Sequence, residues 1–264
     1  MKRLGAFSAH PKTRPATGEV FNSGLDFFLR PMIRCYRLDR GRRLHGLATV
    51  PIPKLGFVHD FALTERHLMF VLGPLVVRNP IPVALGLRPF DDALSYRPEL
   101  GTTIVLVPRD GGRPTHRRTR CAVPFPRHQC PRRRGPHRRR TRRTRSRRWL
   151  GRVEQARNYR ESAGPAFGGT LTRLSVDRRT RRVTTTIELD DHGCEFPQLD
   201  QRFATTEHRY SYTASASVPG GDPDSVTTID HRSGAVSRYT ADAGDTVCEP
   251  LFAPAATPRA TAGC

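Results

Sequence analysis

The stretch SVTTIDHRSGAVSRYTA (225–241) alternates apolar and polar residues on both sides of His231-Arg232-Ser233-Gly234. A period of two places alternate side chains on opposite faces of a strand, and the Ser-Gly step supplies a tight reversal, so the stretch predicts a β-hairpin. The same reading extends outward from it. EHRYSYTASAS (207–217) supplies a strand just before, and TLTRLSVD with RVTTTIELD (170–190) predicts another hairpin around a basic turn. In the first part of the chain, MIRCYRLDRGRRL (32–44) alternates around an Asp-Arg-Gly turn. HLMFVLGPLVV (67–77) is a continuous apolar run, which predicts one strand buried on both faces. TTIVLVPRDGG (102–112) predicts a further strand closed by its Gly-Gly step. With 23 Pro and 22 Gly, the composition favours many short strands over long helices. The expected class is all-β, and the pattern by itself leaves sandwich, barrel and propeller open.

The formal charge of +21 would ordinarily point to nucleic acid or an anionic surface. Its distribution is uneven, because residues 113–160 hold 19 Arg and a single acid, Glu154, and so carry +18 of that charge. The other residues share +3 and read as an ordinary, nearly neutral protein. Four segments are therefore expected: strands over 1–112, an Arg-rich low-complexity and disordered tract over 113–160, further strands over 161–254, and an irregular tail over 255–264. Six cysteines (35, 121, 130, 194, 248 and 264) lie far apart without C-x-x-C pairs, which predicts neither a disulfide framework nor a zinc site. No apolar h-region follows the N-terminus and no run reaches 18 apolar residues, so neither a signal peptide nor a membrane span is expected, and a cytoplasmic location is the default.

Two histidines sit in distinctive strings, His10 in AHPKTRPATGE (9–19) and His59 in FVHDFALTERHLMFVLGPLV (57–76). A lone histidine is ordinarily a satisfied core or surface residue, and a strand-end glutamate is ordinarily part of a surface ion pair. The strings around these residues argue otherwise. They resemble two signatures of the carotenoid oxygenase family, AHPK-x-D-P-x-TGE and VHDF-x-[LI]-T-E, each carrying one of four iron-binding histidines. LSYRPELGTTIVLVPRDGG (94–112) is similar to the family stretch between the second and third ligands. CEFPQLDQRFATTEHRYSY (194–212) and CEPLFAP (248–254) resemble its E-F-P and E-P-x-F-x-P segments.

The resemblance implies a seven-bladed β-propeller, incomplete here, with Fe(II) on its axis. Neutral imidazoles suit Fe(II) and leave coordination positions open for dioxygen. By motif, His10 and His59 would be metal ligands. Glu195 and Glu249 would hydrogen-bond the outer nitrogens of ligand histidines and so fix their tautomers. The implied reaction is oxidative cleavage of an alkene C=C bond, in a carotenoid, apocarotenoid or stilbene-like substrate, to two carbonyl products. The partners are then a lipophilic alkene and dioxygen. Family members often dip an apolar patch into a membrane to extract such substrates, which allows peripheral attachment, but no such patch is read in these segments.

The chain departs from the family pattern where the third ligand should stand. An F-H-x-x-N-A string is expected after the PRDGG strand, where the Arg-rich tract lies. The family's N-terminal blades and its last ligand, in a G-H-G-like string, are expected outside these residues. Phe125 to Cys130 require TTY-CCN-CGN-CAY-CAR-TGY if Arg127 uses a CGN codon. Read one base later, these codons can spell Phe-His-Val-Thr-Asn-Ala. The remaining frame permits no histidine there. Residues from about 115 to about 160 are accordingly read as an out-of-frame rendering of a GC-rich gene, the fragment as written is expected to be inactive, and His128 is not assigned. The alternative is a nonspecific nucleic-acid-binding protein acting through the 113–160 tract, with steep salt dependence but few aromatics for base stacking.

Overall fold

The structure is a computed structural model that describes residues 6–26, 30–54, 56, 58, 60–89, 91–119, 169–176, 183–218 and 221–254. It is all-β, built from several antiparallel sheets. The first sheet is a four-stranded meander of β1 (Lys12–Thr13), β2 (Val20–Asp26), β3 (Met32–Leu38) and β4 (Leu44–Pro51), paired in chain order. The Asp-Arg-Gly turn joins β3 to β4 as expected. Asp39 Oδ1 accepts from the backbone N–H of Arg43 at 2.9 Å, and Arg42 takes the left-handed φ of 59° that the reversal requires.

The second sheet orders β5 (Ala62–Leu63), β6 (His67–Leu72), β9 (Thr102–Pro108) and β10 (Thr115–Thr119) as β10-β9-β6-β5. Between β6 and β9 an excursion carries a separate two-stranded pair, β7 (Leu75–Val77) with β8 (Leu94–Tyr96), and one helical turn, α1 (Ile81–Ala84). Two expectations are corrected here. The apolar run 67–77 is not one strand: it breaks at Gly73-Pro74, and its halves join different sheets. Pro74 has no N–H to give a ladder, so the run cannot continue through it. The part that is β6 alternates half-buried and buried residues, so one of its faces is more sheltered than the other.

The Arg-rich tract was also expected to be irregular from residue 113. Instead, residues 115–119 pair in full register with β9, from Thr115 opposite Leu106 to Thr119 opposite Thr102. Backbone pairing needs no apolar side chain, and an outer strand bearing charge is a common way to blunt a sheet edge. The rest of the tract, residues 120–168, lies outside the described residues, as do 255–264.

The main core lies between these two sheets. Phe21, Ile33 and Val50 of the first meet Phe70, Val105 and Val107 of the second, with the Phe61 and Phe70 rings stacked 5.4 Å apart. Cys35 is buried in the same cluster, and desolvation pushes its thiol up to about 12.

The third sheet is a five-stranded meander of β11 (Gly169–Val176), β12 (Val183–Gln198), β13 (Tyr210–Ser215), β14 (Ser225–Asp230) and β15 (Val236–Thr240). The hairpin predicted from 225–241 is β14–β15, with Ser225 opposite Thr240 and Gly234 at φ 75° in the turn. Thr213, Ser215, Ser225 and Thr227 are fully buried in this sheet. Cys35, Cys194 and Cys248 form no disulfide among the described residues; Cys121, Cys130 and Cys264 lie outside them.

Candidate metal centre

The segment carrying His10 is fixed before the first strand begins. Gly24 in β2 makes this possible, because a Cβ there would come within 1.5 Å of the Ala6 carbonyl oxygen. With no side chain at Gly24, the leading segment lies directly on β2. Ser8 N–H donates to the Ser23 carbonyl at 2.7 Å, and Asn22 Nδ2 donates to the Ser8 carbonyl at 3.1 Å. Ser8 Oγ then accepts from the backbone N–H of His10 at 3.0 Å, leaving His10 half-buried.

His59 lies outside the described residues, but the residue after it does not. Asp60 Oδ1 accepts from the N–H of Phe61 at 2.7 Å, and Oδ2 pairs with Lys12 Nζ at 2.8 Å. Lys12 stands two residues after His10 and Asp60 directly follows His59. The ion pair therefore brings the AHPK and VHDF strings together. With side chains 27% and 39% exposed, it contributes about 0–1 kcal/mol and marks the approach more than it enforces it.

Glu195 lies in β12 opposite Ala214 and is half-buried. Just beyond it the register shifts, and Phe196 takes φ 54°. Pro197 can donate nothing to the ladder, so the pairing resumes only at Gln198, opposite Tyr212. A left-handed non-glycine residue at a bulge is costly, and bulges are places where a strand re-aims a side chain. Glu249 is exposed and arrives from the other end of the sheet. Its Oε1 accepts from Gln198 Nε2 at short distance, which joins the E-P-x-F-x-P string to the E-F-P string. Tyr212 and Phe252 face each other at 5.8 Å, and Arg202 lies 5.3 Å from the Phe252 ring centroid. Arg202 also chelates Asp200, and that pairing holds the Asp200 carboxyl below the usual range. An isolated parallel bridge between Thr64 and Thr205 ties the VHDF string to the segment after E-F-P.

Lys12–Asp60, Thr64–Thr205 and Gln198–Glu249 thus link four of the motif strings in series, and the fifth joins them through the pairing of β9 with β6. These contacts connect the strings, and none places His10 beside either glutamate. Among the described residues no group of three or more His, Cys, Asp and Glu is arranged to hold a metal ion. His10 is the one expected ligand among them, and no chemical step is derived through a metal.

Two features were not foreseen in the sequence. The first is an apolar surface on the excursion between β6 and β9, where Ile81, Leu85 and Leu87 are 65%, 66% and 73% exposed. The expectation that no such patch occurs is corrected. The signal was NPIPVALGLRP (79–89), an apolar string flanked by Arg78 and Arg88 and broken by prolines that keep it from folding into a sheet. The second is a histidine pair in the third sheet. Arg173 donates to His231 Nδ1 at 2.8 Å, which leaves the proton of neutral His231 on Nε2, 2.8 Å from Ser211 Oγ. The Ser211 hydroxyl also lies 3.4 Å from His208 Nε2. Burial first, and then the neighbouring His231, lower the His208 pKa. No helix among the described residues is long and apolar enough to cross a membrane.

Comparison with known proteins accounts for this arrangement. Over residues 2–263 the chain matches the family model described as RPE65, retinal pigment epithelial membrane protein. It is 24% identical over 258 residues to apocarotenoid-15,15'-oxygenase of Synechocystis sp., covering 94% of this chain and 51% of that protein. The zeaxanthin 7,8(7',8')-cleavage dioxygenase of Crocus sativus is 35% identical over 105 residues, covering 39% of this chain and 27% of the relative. Among solved structures, cobalt-substituted Synechocystis apocarotenoid oxygenase superposes with a TM-score of 0.67 at 20% identity, covering 89% of this chain and 50% of that one. At its fullest match the chain spans about half the length of the curated relative. The chain belongs to the carotenoid oxygenase family, whose members include carotenoid cleavage dioxygenases.

Proposed function

We propose that the chain is part of a non-haem iron(II) dioxygenase that cleaves an alkene C=C bond of a carotenoid, apocarotenoid or stilbene-like substrate to two carbonyl products. The observation that carries this reading is the serial linkage of the family strings by Lys12–Asp60, Thr64–Thr205 and Gln198–Glu249. In this reading His10 and His59 are two of four iron ligands, and the meanders are blades of a seven-bladed propeller. Glu195, turned by the Phe196 bulge, and Glu249, held by Gln198, orient ligand imidazoles. The exposed Ile81, Leu85 and Leu87, flanked by arginines, suit peripheral attachment to a membrane from which a lipophilic substrate is drawn.

The polypeptide as written is expected to be inactive. In it the tract over 113–160 stands where the third of the four histidines belongs. Incubating the purified chain with Fe(II), dioxygen and an apocarotenoid or a stilbene should yield no aldehyde products. Iron-dependent cleavage by this chain would overturn that expectation. The origin of the tract is tested by sequencing the DNA for residues 105–175. A missed or extra base that restores F-H-x-x-N-A near Phe125 supports the out-of-frame reading. A frame confirmed as written removes it. The repaired protein should then cleave such an alkene, and His10→Ala should abolish both cleavage and bound iron. Nothing among the described residues favours the nucleic-acid reading.

A further inference from the structure

Four arginines converge on the turn Thr17-Gly18-Glu19 from two different sheets. Arg37 Nη1 lies 3.2 Å from Glu19 Oε1, and Arg14 Nη1 lies 3.7 Å from Oε2. Thr17 Oγ1 also donates to Oε2, at 2.8 Å. Arg40 Nε donates to the Thr17 carbonyl. The fourth, Arg109, follows β9 in the second sheet. Its guanidinium lies 5.7 Å from the centroid of Phe21, whose strand neighbour is Arg37.

Glu19 already accepts from Arg37 and Thr17 and pairs with Arg14, and the other carboxylate acting on Arg109 is Glu65. The guanidinium pKa of Arg109 falls below its ordinary value, through burial first and then repulsion from Arg14, against the opposing pull of Glu19 and Glu65. Two donors in this cluster, Arg37 Nε and Arg109 Nη1, are buried with no acceptor among the described residues. A buried guanidinium N–H without an acceptor is costly, and such a donor commonly marks an ion or a water.

We propose that Arg14, Arg37 and Arg109 form a binding site for a small oxyanion of the phosphate or sulfate type, at the junction of the first two sheets. The planar forks of Arg37 and Arg109 suit a tetrahedral oxyanion that accepts from both. The side chains of Arg14 and Arg37 are 32% and 36% exposed, so the cluster opens to solvent on one side. The orphaned donors themselves are buried, which favours a free anion over a lipid headgroup anchored in a bilayer. The site does not depend on the proposed reaction. Its effect is to tie the two sheets together, because an anion that binds only the folded state stabilises it by mass action.

The test is thermal unfolding of the full chain at constant ionic strength, with chloride replaced stepwise by inorganic phosphate. Arginines of the 113–160 tract bind phosphate equally in every variant, so the informative quantity is the difference between variants. Wild type should gain melting temperature with phosphate. Arg109→Met, which keeps the packing on Phe21, should weaken the apparent phosphate affinity about tenfold. Should Arg109→Met fail to fold, Arg109→Lys keeps the charge and removes the fork, and should also lose phosphate dependence. Arg37→Met should act in the same direction. Identical phosphate dependence in wild type, Arg109→Lys and Arg37→Met would overturn the proposal and leave water as the partner of these donors.

Discussion

Between the first two sheets, the buried side chains that meet are Phe21, Ile33, Val50, Phe70, Val105 and Val107. In the five-stranded sheet the fully buried positions of β13 and β14 are Thr213, Ser215, Ser225 and Thr227, with Ala214 on the opposite face. The two regions shelter comparable strands by different means. The first relies on apolar area and shape, which are non-directional and fail when volume is removed. The second relies on directed contacts. Ser215 Oγ meets Thr227 Oγ1 at 2.6 Å, Ser225 Oγ reaches Thr240 Oγ1 at 3.1 Å, and Arg238 Nε donates to Thr227 Oγ1 at 3.1 Å. At the edge of this face Asp224 accepts from Ser217 N–H at 2.7 Å and from Ser225 Oγ at 2.8 Å. The Ser217 hydroxyl, which donates to Oδ2 at 2.5 Å, contributes most to holding its carboxyl below the usual range, and the Ser225 hydroxyl and Ser217 N–H add to it. A face built of hydroxyls is specific in register, because a slip breaks every bond at once, whereas an apolar face tolerates some repacking.

The contrast is exposed most sharply by Phe70→Ala, which empties the centre of the apolar core. A loss of about 3–5 kcal/mol in denaturant unfolding is expected, a large part of a typical domain's stability. Ser215→Ala should cost about 1–3 kcal/mol, since it leaves a buried hydroxyl of Thr227 short of a partner. A cost near zero would show that the hydroxyl face is not a bonded network. Thr213 is the exception within its own region, because its Oγ1 is buried with no partner among the described residues. Thr213→Val keeps the shape and removes the orphan, so the melting temperature should rise, by the equivalent of about 1 kcal/mol. A fall would mean that the hydroxyl is satisfied by ordered water.

The smallest effect is that of pH. Burial first, then His231 and Arg173, lower the His208 pKa, against the backbone bond of Thr206 and the charge of Glu207. Arg209 and Asp230 form an ion pair beside the same turn and stay charged. A histidine whose folded pKa is lowered binds its proton more readily when unfolded. Stability is therefore whole above the ordinary value of 6.5 and declines as pH falls from there towards the folded-state value. His208→Gln should flatten this acid slope in unfolding curves measured between neutral and mildly acidic pH; an unchanged slope would assign it to other groups.

Much of this architecture was legible in the sequence, and the reason differs by region. Alternation around short turns located β3–β4, β9 and β14–β15, because those strands shelter one face more than the other and their turns use residues suited to reversal. The run 67–77 misled because apolarity continues through Gly73-Pro74 while backbone hydrogen bonding does not. Strand β10 was hidden because the apolar pattern carries no information about a strand made of Thr, His and Arg, whose place is set by its partner β9. At the candidate centre, the motif strings point to His10, His59, Glu195 and Glu249 through family resemblance alone. The Lys12–Asp60 and Gln198–Glu249 contacts join residues far apart in sequence and have no local signal. The left-handed Phe196 was equally silent, since nothing in E-F-P demands a positive φ outside its sheet.

The bridge between Thr64 and Thr205 has a consequence for how much change the chain tolerates between those residues. It closes a loop that contains the whole Arg-rich tract. The entropy of closing a flexible loop grows only with the logarithm of its length, about 0.6 kcal/mol for each doubling. Changing the number of residues between β10 and β11 therefore shifts the equilibrium between open and closed chain very little, whereas rewriting Thr115–Thr119 acts directly on the second sheet. Its cost falls on time instead, since contacts between distant segments must await a slow search before they contribute. The sheets on either side are buffered against the length of that segment, and the rate at which they find each other is not.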